Sequence, residues 1–407
     1  MPEKLFNKYF IGVTILNFVV YLVYYLLMVI IAVIAQDDLG ASMSEAGFAS
    51  GIYIIGTLLA RLLMGKQIEL LGRKFVLRIS SLFYLVTTIC YLFIPSLGVL
   101  YIIRFLNGFG YGAISTATNT IVTAYIPQAK NGEGINYYGL STSLAAAAGP
   151  FLGMLLLSAT NFEFIIWLSI SLILAVAIAC FLFPVKNIQL SAEHKAAIKS
   201  WNFNSFIEKK ALFITFIAFL MGLSYSSVLS FLSSYVKVID LVSAGSFFFV
   251  VYALVITFTR PAAGRIFDAK GEPYVMYPSY IFLALGLLLL GITSNNLTLL
   301  ISGAFVGLGY GTFMSNGQAV CLKLVNTHRI GVALSTYFIG LDLGLGVGPY
   351  IMGILKNATS FRGLYLIASI IPLVCALLYF VNHKMKHKKW EHAEAPLKKM
   401  SSNEEGI

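Results

Sequence analysis

The sequence predicts an all-α polytopic membrane protein with twelve transmembrane helices in two pseudo-symmetric halves of six. Three observations carry that prediction. Of the 407 residues, 58% are hydrophobic and 11% charged, against about 25% charged in soluble domains. The apolar residues come in runs of about 20, the length an α-helix needs to cross a hydrocarbon core of ~30 Å. The two halves of the chain also repeat at one constant offset. A membrane β-barrel needs alternating segments of about 10 residues, and the chain does not show them.

The apolar runs place spans near residues 10–35, 47–65, 75–94, 98–125, 133–158, 163–184, 211–236, 244–263, 275–293, 296–324, 331–355 and 361–382. Residues 1–184 form the first half and 211–382 the second. Between them, 185–210 is a linker carrying Lys186, Lys195, Lys199, Lys209 and Lys210, and 383–407 is a basic tail. Of the 28 Lys and Arg, 22 fall in one alternating set of loops and tails. The opposite loops hold Lys237, Lys356 and Arg362, and three arginines lie within spans: Arg61, Arg104 and Arg260. Cationic loops stay on the cytoplasmic side, which puts both termini and the linker there. The net charge of +11 then reports topology and contact with anionic lipid, not a nucleic-acid partner.

The repeat can be checked by subtraction. Gly65 and Gly264 are 199 apart, as are Arg61 and Arg260, Glu69 and Asp268, and Gly72 and Gly271. The segment 108–112 reads Gly-Phe-Gly-Tyr-Gly and 307–311 reads Gly-Leu-Gly-Tyr-Gly, again 199 apart. So are Gly149-Pro150 and Gly348-Pro349. One offset across three separate motifs implies two halves related by an axis along the membrane normal, with a site near the midplane between them.

Between spans two and three the chain reads Gly65-Lys66-Gln67-Ile68-Glu69-Leu70-Leu71-Gly72-Arg73-Lys74. Here it resembles the major facilitator superfamily, whose loop motif is G-x-x-x-D-x-x-G-R-K, with Glu69 where Asp is usual. The second copy, Gly264 to Gly271, keeps the acid as Asp268 but lacks the Arg-Lys pair. A carboxylate is favoured at a helix N-terminus, where it meets free N–H groups and the positive end of the dipole. The resemblance implies that Glu69 latches the start of span eleven near Gly331 and Asp268 the start of span five near Gly134. The plainer alternative is that these charges only set topology.

Span four carries Arg104 before Gly108, Gly110 and Gly112, like the superfamily's intramembrane arginine motif. An arginine in hydrocarbon is costly and should face the bundle interior. Helical spacing puts Tyr111, Ser115 and Thr118 on the same stripe. Arg104 is therefore expected to tune a carboxyl pKa, to hold an anionic group of the substrate, or to be a structural arginine bound to helix carbonyls. Span five runs Gly139…Gly149-Pro150-x-x-Gly153. This resembles, in part, the motif of exporters in the twelve-helix drug–proton antiporter group, with Met154 where a second Gly is common. Gly348-Pro349 stands at the matching place of span eleven, and the plainer alternative for the span-five motif is helix packing alone.

Asp342, near the middle of span eleven, is the carboxylate placed deepest in any span. Ionised and alone it costs roughly 2.5–3.5 kcal/mol on insertion scales, so it must be protonated, paired or wet. A carboxylate that alternates between a dry site and an arginine changes its proton affinity, which suits proton coupling. The alternative is a structural carboxylate bonded to helix ends. Arg61 and Arg260 either snorkel to the interface or pair with Asp342.

In superfamily members the first, fourth, seventh and tenth spans line the cavity. Carried onto this chain, that implies Asn17, Tyr21 and Tyr24 in span one. It implies Ser224, Tyr225 and Ser227 in span seven, and Tyr310, Asn316 and Gln318 in span ten. Gln318 is the repeat partner of Asn119. Aromatic faces and hydroxyls suit amphipathic or partly anionic compounds.

Other chemistries find little support. The cysteines Cys90, Cys180, Cys321 and Cys375 form no C-x-x-C pair, so neither a disulfide framework nor a zinc site is suggested. His383 and His387 read as part of a solvated tail rather than a metal site. The N-x-T matches at Asn296 and Asn357 are too common to weigh. No P-loop, nucleophile triad or dinucleotide motif is present, so neither an enzyme nor a cofactor is expected. The resemblance implies a secondary transporter exporting a drug, toxic metabolite or secreted chelator in exchange for protons. Its partners are substrate, protons and membrane lipid, and its functional unit is a monomer. The short loops suggest a bacterial plasma membrane. A nutrient symporter or uniporter shares the architecture, but the partial exporter motif and sparse polar lining favour export. A non-transporting membrane sensor is the third reading.

Overall fold

The computed structural model describes residues 4–41, 43–185 and 206–404. Lys186, Lys195 and Lys199 of the linker lie outside the described residues, as do the side chains of Pro150, Met154 and His387. Twelve long helical segments follow one another with no strand among the described residues. They are α1 (Lys8–Asp37), α2 (Met43–Leu71), α3 (Arg73–Ile89), α4 (Leu97–Val122), α5 (Asn131–Ala159) and α6 (Phe162–Leu182). The second half holds α7 (Leu212–Val238), α8 (Val242–Lys270), α9 (Pro273–Ile292), α10 (Asn296–Lys323), α11 (Ile330–Ala358) and α12 (Phe361–Glu404). Eleven helices of the described residues are long and apolar enough to cross a membrane. The remaining long helix is α2, whose second half carries Arg61, Lys66 and Glu69.

The helix ends differ from the apolar runs in one instructive way. Spans two and eight were expected to stop at residues 65 and 263, where charge begins, yet α2 reaches Leu71 and α8 reaches Lys270. The motif residues Gly65 to Glu69 therefore sit in helix, not in a loop. The chain turns where a glycine permits it. Gly72 has φ +91° and Gly271 has φ +95°, a backbone that side-chain-bearing residues rarely adopt.

Packing repeats with the sequence. Within the halves α1 packs on α5 as α7 does on α11, α2 on α4 as α8 on α10, and α3 on α6 as α9 on α12. Across the halves α2 meets α11 and α5 meets α8. Glycines let backbones approach: a Cβ on Gly108 would overlap the Tyr53 carbonyl of α2, and one on Gly149 would crowd the backbone of α1 at Leu22 and Leu26. Such contacts replace the hydrophobic drive that lipid does not supply. Exposed outer faces carry large apolar side chains, among them Phe93, Leu182 and Phe258, as a lipid-facing surface requires.

The end of the bundle where α2 and α8 finish is the end where α11 and α5 begin. There Gly65 lies against Gly331 and Ser335, and Gly264 against Gly132 and Glu133. Residues 206–208 close over the same end. The Lys66 ammonium sits 4.0 Å from the Phe206 ring centre. Glu208 accepts from Arg329 Nε at 2.7 Å, while its backbone N–H donates to Thr336 Oγ1 at 3.0 Å.

Candidate functional site

Three arginines inside the bundle are almost wholly buried, and each has a different partner set. Arg61 on α2 points across the halves to α11. Its Nε lies 2.6 Å from Asp342 Oδ2, and its guanidinium carbon is 4.8 Å from the centre of the Phe338 ring. The Asp342 side chain keeps 20% of its surface exposed against 2% for Arg61. The acid is therefore the more exposed member of the pair. An intramembrane acid that keeps part of its surface exposed is a candidate for proton exchange.

Arg104 does not meet Asp342. Its Nε donates to the Ala49 carbonyl at 3.0 Å, Nη1 to Tyr91 Oη at 3.3 Å, and Nη2 to Met28 Sδ at 3.1 Å. The Tyr53 ring covers it at 4.3 Å. Every contact comes from the first half, so Arg104 ties α4 to α1, α2 and the end of α3.

Arg260 on α8 is the repeat partner of Arg61, yet it faces no carboxylate. Nε donates to the Gly311 carbonyl at 2.7 Å and Nη1 donates to the Gly139 carbonyl of α5. Gly139 is the repeat partner of Phe338, so both arginines reach the same place on the opposing half. Gly311 ends a π-helical turn, Gly307–Gly311, that interrupts α10. Such turns recur at functional positions of helices. The corresponding segment of α4 is ordinary α-helix.

The acids of the two loop motifs are used differently. Asp268 accepts from the backbone N–H of Gly132 at 2.7 Å and of Glu133 at 2.8 Å, at the start of α5. That is the position the latch requires, two residues before Gly134. Glu69 instead accepts from Arg73 Nη2 at 2.6 Å and Nε at 3.0 Å, across the Gly72 turn. Arg73 is thus held by the acid of its own motif.

The expected lining residues divide into two groups. Tyr21, Tyr24 and Tyr111 come together: Tyr24 stacks on Tyr111 at 4.5 Å and Tyr21 meets Tyr111 edge-on at 5.3 Å. In the second half Tyr225 stacks on Tyr310 at 4.0 Å. Tyr53 and Tyr252 extend these clusters, by stacking on Tyr24 at 5.2 Å and on Tyr225 at 5.9 Å. Neither was among the expected residues, although Tyr53 and Tyr252 are 199 apart, like Tyr111 and Tyr310. The same subtraction finds them.

The polar residues mostly tie helices together. Asn17 donates to Ser141 and Thr142 and accepts from Thr118 and Tyr138, which fills its capacity. Asn316 accepts from Asn136 Nδ2 at 2.9 Å, bridging α10 to α5. Gln318 Nε2 donates to Asn119 Oδ1 at 3.3 Å. Ser224 donates to the Ala368 carbonyl of α12, and Ser115 to Gly112 within α4. A Cβ on Gly348, before Pro349 inside α11, would overlap Ser226 of α7.

The model of the Major Facilitator Superfamily matches residues 13–296 and 242–404. The chain belongs to this superfamily. It is 20% identical over 360 residues to an uncharacterised transporter of the same type from Methanocaldococcus jannaschii, covering 87% of this chain and 92% of that one. Over 191 residues it is 29% identical to the multidrug resistance protein MdtG of Proteus mirabilis, covering 45% of this chain and 46% of that one. Its fold is similar to that of the human organic anion transporter MFSD10 (TETRAN), with a TM-score of 0.71 over 91% of this chain and 98% of that one, at 15% identity. As a superfamily member it is a multi-pass membrane transporter, a class whose family and fold are not those of enzymes.

Proposed function

We propose that this transporter exports a small amphipathic or partly anionic compound in exchange for protons, in the plasma membrane, with both termini in the cytoplasm. The observation that carries the reading is the Arg61–Asp342 ion pair. It joins α2 of one half to α11 of the other, and its acid is the partly exposed member. A proton arriving at Asp342 removes the charge that holds the two halves together there. The halves then separate at the end bearing the termini, and the proton leaves to that side. Return of the ion pair closes that end again.

Substrate binds between the two tyrosine clusters, whose flat faces accept planar apolar groups with little geometric demand. Similarity to MdtG, named for multidrug resistance, supports export and a broad substrate range. At the second contact between the halves Asp268 caps the α5 N-terminus, Arg260 donates to the Gly139 carbonyl, and Arg265 pairs with Glu133 at 3.0 Å.

The test is flux in proteoliposomes under an imposed pH gradient, wild type beside Asp342→Asn. Gradient-driven accumulation of a dye substrate is expected in the wild type and is lost in the variant, with expression and fold intact. Equal uphill transport by both proteins sinks the role of Asp342. Flux indifferent to the gradient in the wild type identifies a uniporter.

A further inference from the structure

Arg260 differs from Arg61 in what balances its charge. The guanidinium is fully buried and makes none of the ion pairs found among the described residues. The side chains that act on it electrostatically include the tyrosines Tyr252, Tyr337, Tyr310 and Tyr25. Its Nη2 donates to nothing, and the hydroxyl of Ser315 beside it is also without a partner. Both would crowd a Cβ on Gly139, which places Ser315 and Arg260 around one point. A buried guanidinium left with a free donor and no counter-charge carries a large desolvation cost. A guanidinium fork matches an oxyanion with two parallel N–H bonds.

We propose that Arg260, with Ser315, is the binding point for the anionic group of the transported compound, a carboxylate or sulfonate attached to an aromatic body. The body lies on the Tyr225, Tyr310 and Tyr252 cluster, which adjoins Arg260. This deepens the exporter reading and rests on it. The Gly139 carbonyl belongs to the first half and Arg260 to the second. When the halves part at the end bearing the termini, Nη1 loses that carbonyl and joins Nη2 in having no acceptor. Both donors are then free for the oxyanion, on the side from which an exporter loads. When that end closes, the Gly139 carbonyl returns to Nη1 and displaces the anion, which favours release to the other side. Arg104, already bonded through Nε, Nη1 and Nη2 to first-half groups, is not available for this role.

The experiment measures thermal unfolding of the detergent-purified full chain with naphthalene-2-sulfonate, with the uncharged naphthalene-2-sulfonamide, and with chloride against gluconate. A ligand that binds the folded protein raises the midpoint with concentration. The sulfonate is expected to raise it and the sulfonamide to leave it unchanged. Arg260→Gln abolishes the rise, Arg260→Lys keeps part of it, and Lys270→Gln, an exposed charge at the end of the same helix, keeps all of it. The Lys variant retains the charge, so it distinguishes a lost site from a lost fold. A rise with chloride alone, absent from Arg260→Gln, assigns the site to a free anion and overturns the substrate role. Equal shifts for sulfonate and sulfonamide, or a sulfonate shift that survives Arg260→Gln, overturn the site altogether. Proton exchange is read separately: an Arg260-dependent shift in a protein without proton-driven flux keeps the site and removes the antiport reading.

Discussion

Gln318 donates its side-chain amide to Asn119 at 3.3 Å, and the two residues are each other's repeat partners. Two symmetry-related side chains touch directly only on the axis that relates them, so this bond marks the pseudo-two-fold axis at the centre of the bundle. It joins α4 to α10 and is buried. A buried neutral hydrogen bond contributes about 1 kcal/mol net. Asn119→Ala and Gln318→Ala should each lower stability by roughly 1–2 kcal/mol, and the double variant should lose less than the sum. A chemical-unfolding double-mutant cycle measures this, and strict additivity would show that the bond contributes nothing.

The Arg61–Asp342 pair predicts a different pattern. Arg61→Gln alone strands the carboxylate among helices, at a cost of roughly 3–5 kcal/mol for a buried pair, reduced here because Asp342 is partly exposed. Arg61→Gln with Asp342→Asn replaces the pair by neutral groups of similar shape. The double variant should recover most of the stability lost by the single one and none of the proton-driven flux. Midpoints of unfolding and gradient-driven transport, measured on the same preparations, separate the two effects.

The Asp268 cap predicts a local effect. Asp268→Ala removes the acceptor of the Gly132 and Glu133 N–H groups, worth about 0.5–2 kcal/mol at a helix N-terminus. Amide exchange over residues 131–136 should speed up. Glu69→Gln acts instead on its own Arg73 contact, and exchange at the start of α11 should respond less. The reverse order would place the stronger latch on Glu69.

Asn17 was expected to touch substrate, and the structure surrounds it with four protein partners. Asn17→Ala should therefore lower stability by about 2–3 kcal/mol by orphaning buried hydroxyls of α4 and α5. Any change in substrate affinity should be small. A tenfold loss of affinity with stability unchanged would return Asn17 to the binding site.

The stacked tyrosines carry the opposite expectation. Tyr310→Ala removes one face of the Tyr225 stack, and aromatic pairs contribute about 0.5–1.5 kcal/mol beyond their buried area. Affinity for a planar dye should fall by roughly 3–10-fold. Tyr310→Leu keeps the bulk without the flat face, and dye titrations of the two variants tell stacking from cavity formation.

Fold class and helix order are legible along the chain because the bilayer imposes them locally. A backbone in hydrocarbon must bond within its own helix, so twenty apolar residues announce a span wherever they occur. The 199-residue offset is legible for the same reason, since each half solves the same packing problem. Helix ends were less so: α2 and α8 run past their apolar runs because charged residues near the interface stay helical, and Gly72 and Gly271 stop them. Partner choice lay further off. Arg61, Arg104 and Arg260 look alike in sequence, each a charge in a span. Only the packed bundle decides that the first meets Asp342, the second the Ala49 carbonyl, and the third two glycine carbonyls with one donor left over. Those contacts join residues between 51 and 281 positions apart. Side-chain charge is a property of the residue, whereas the partner that balances it is set by which helix faces meet.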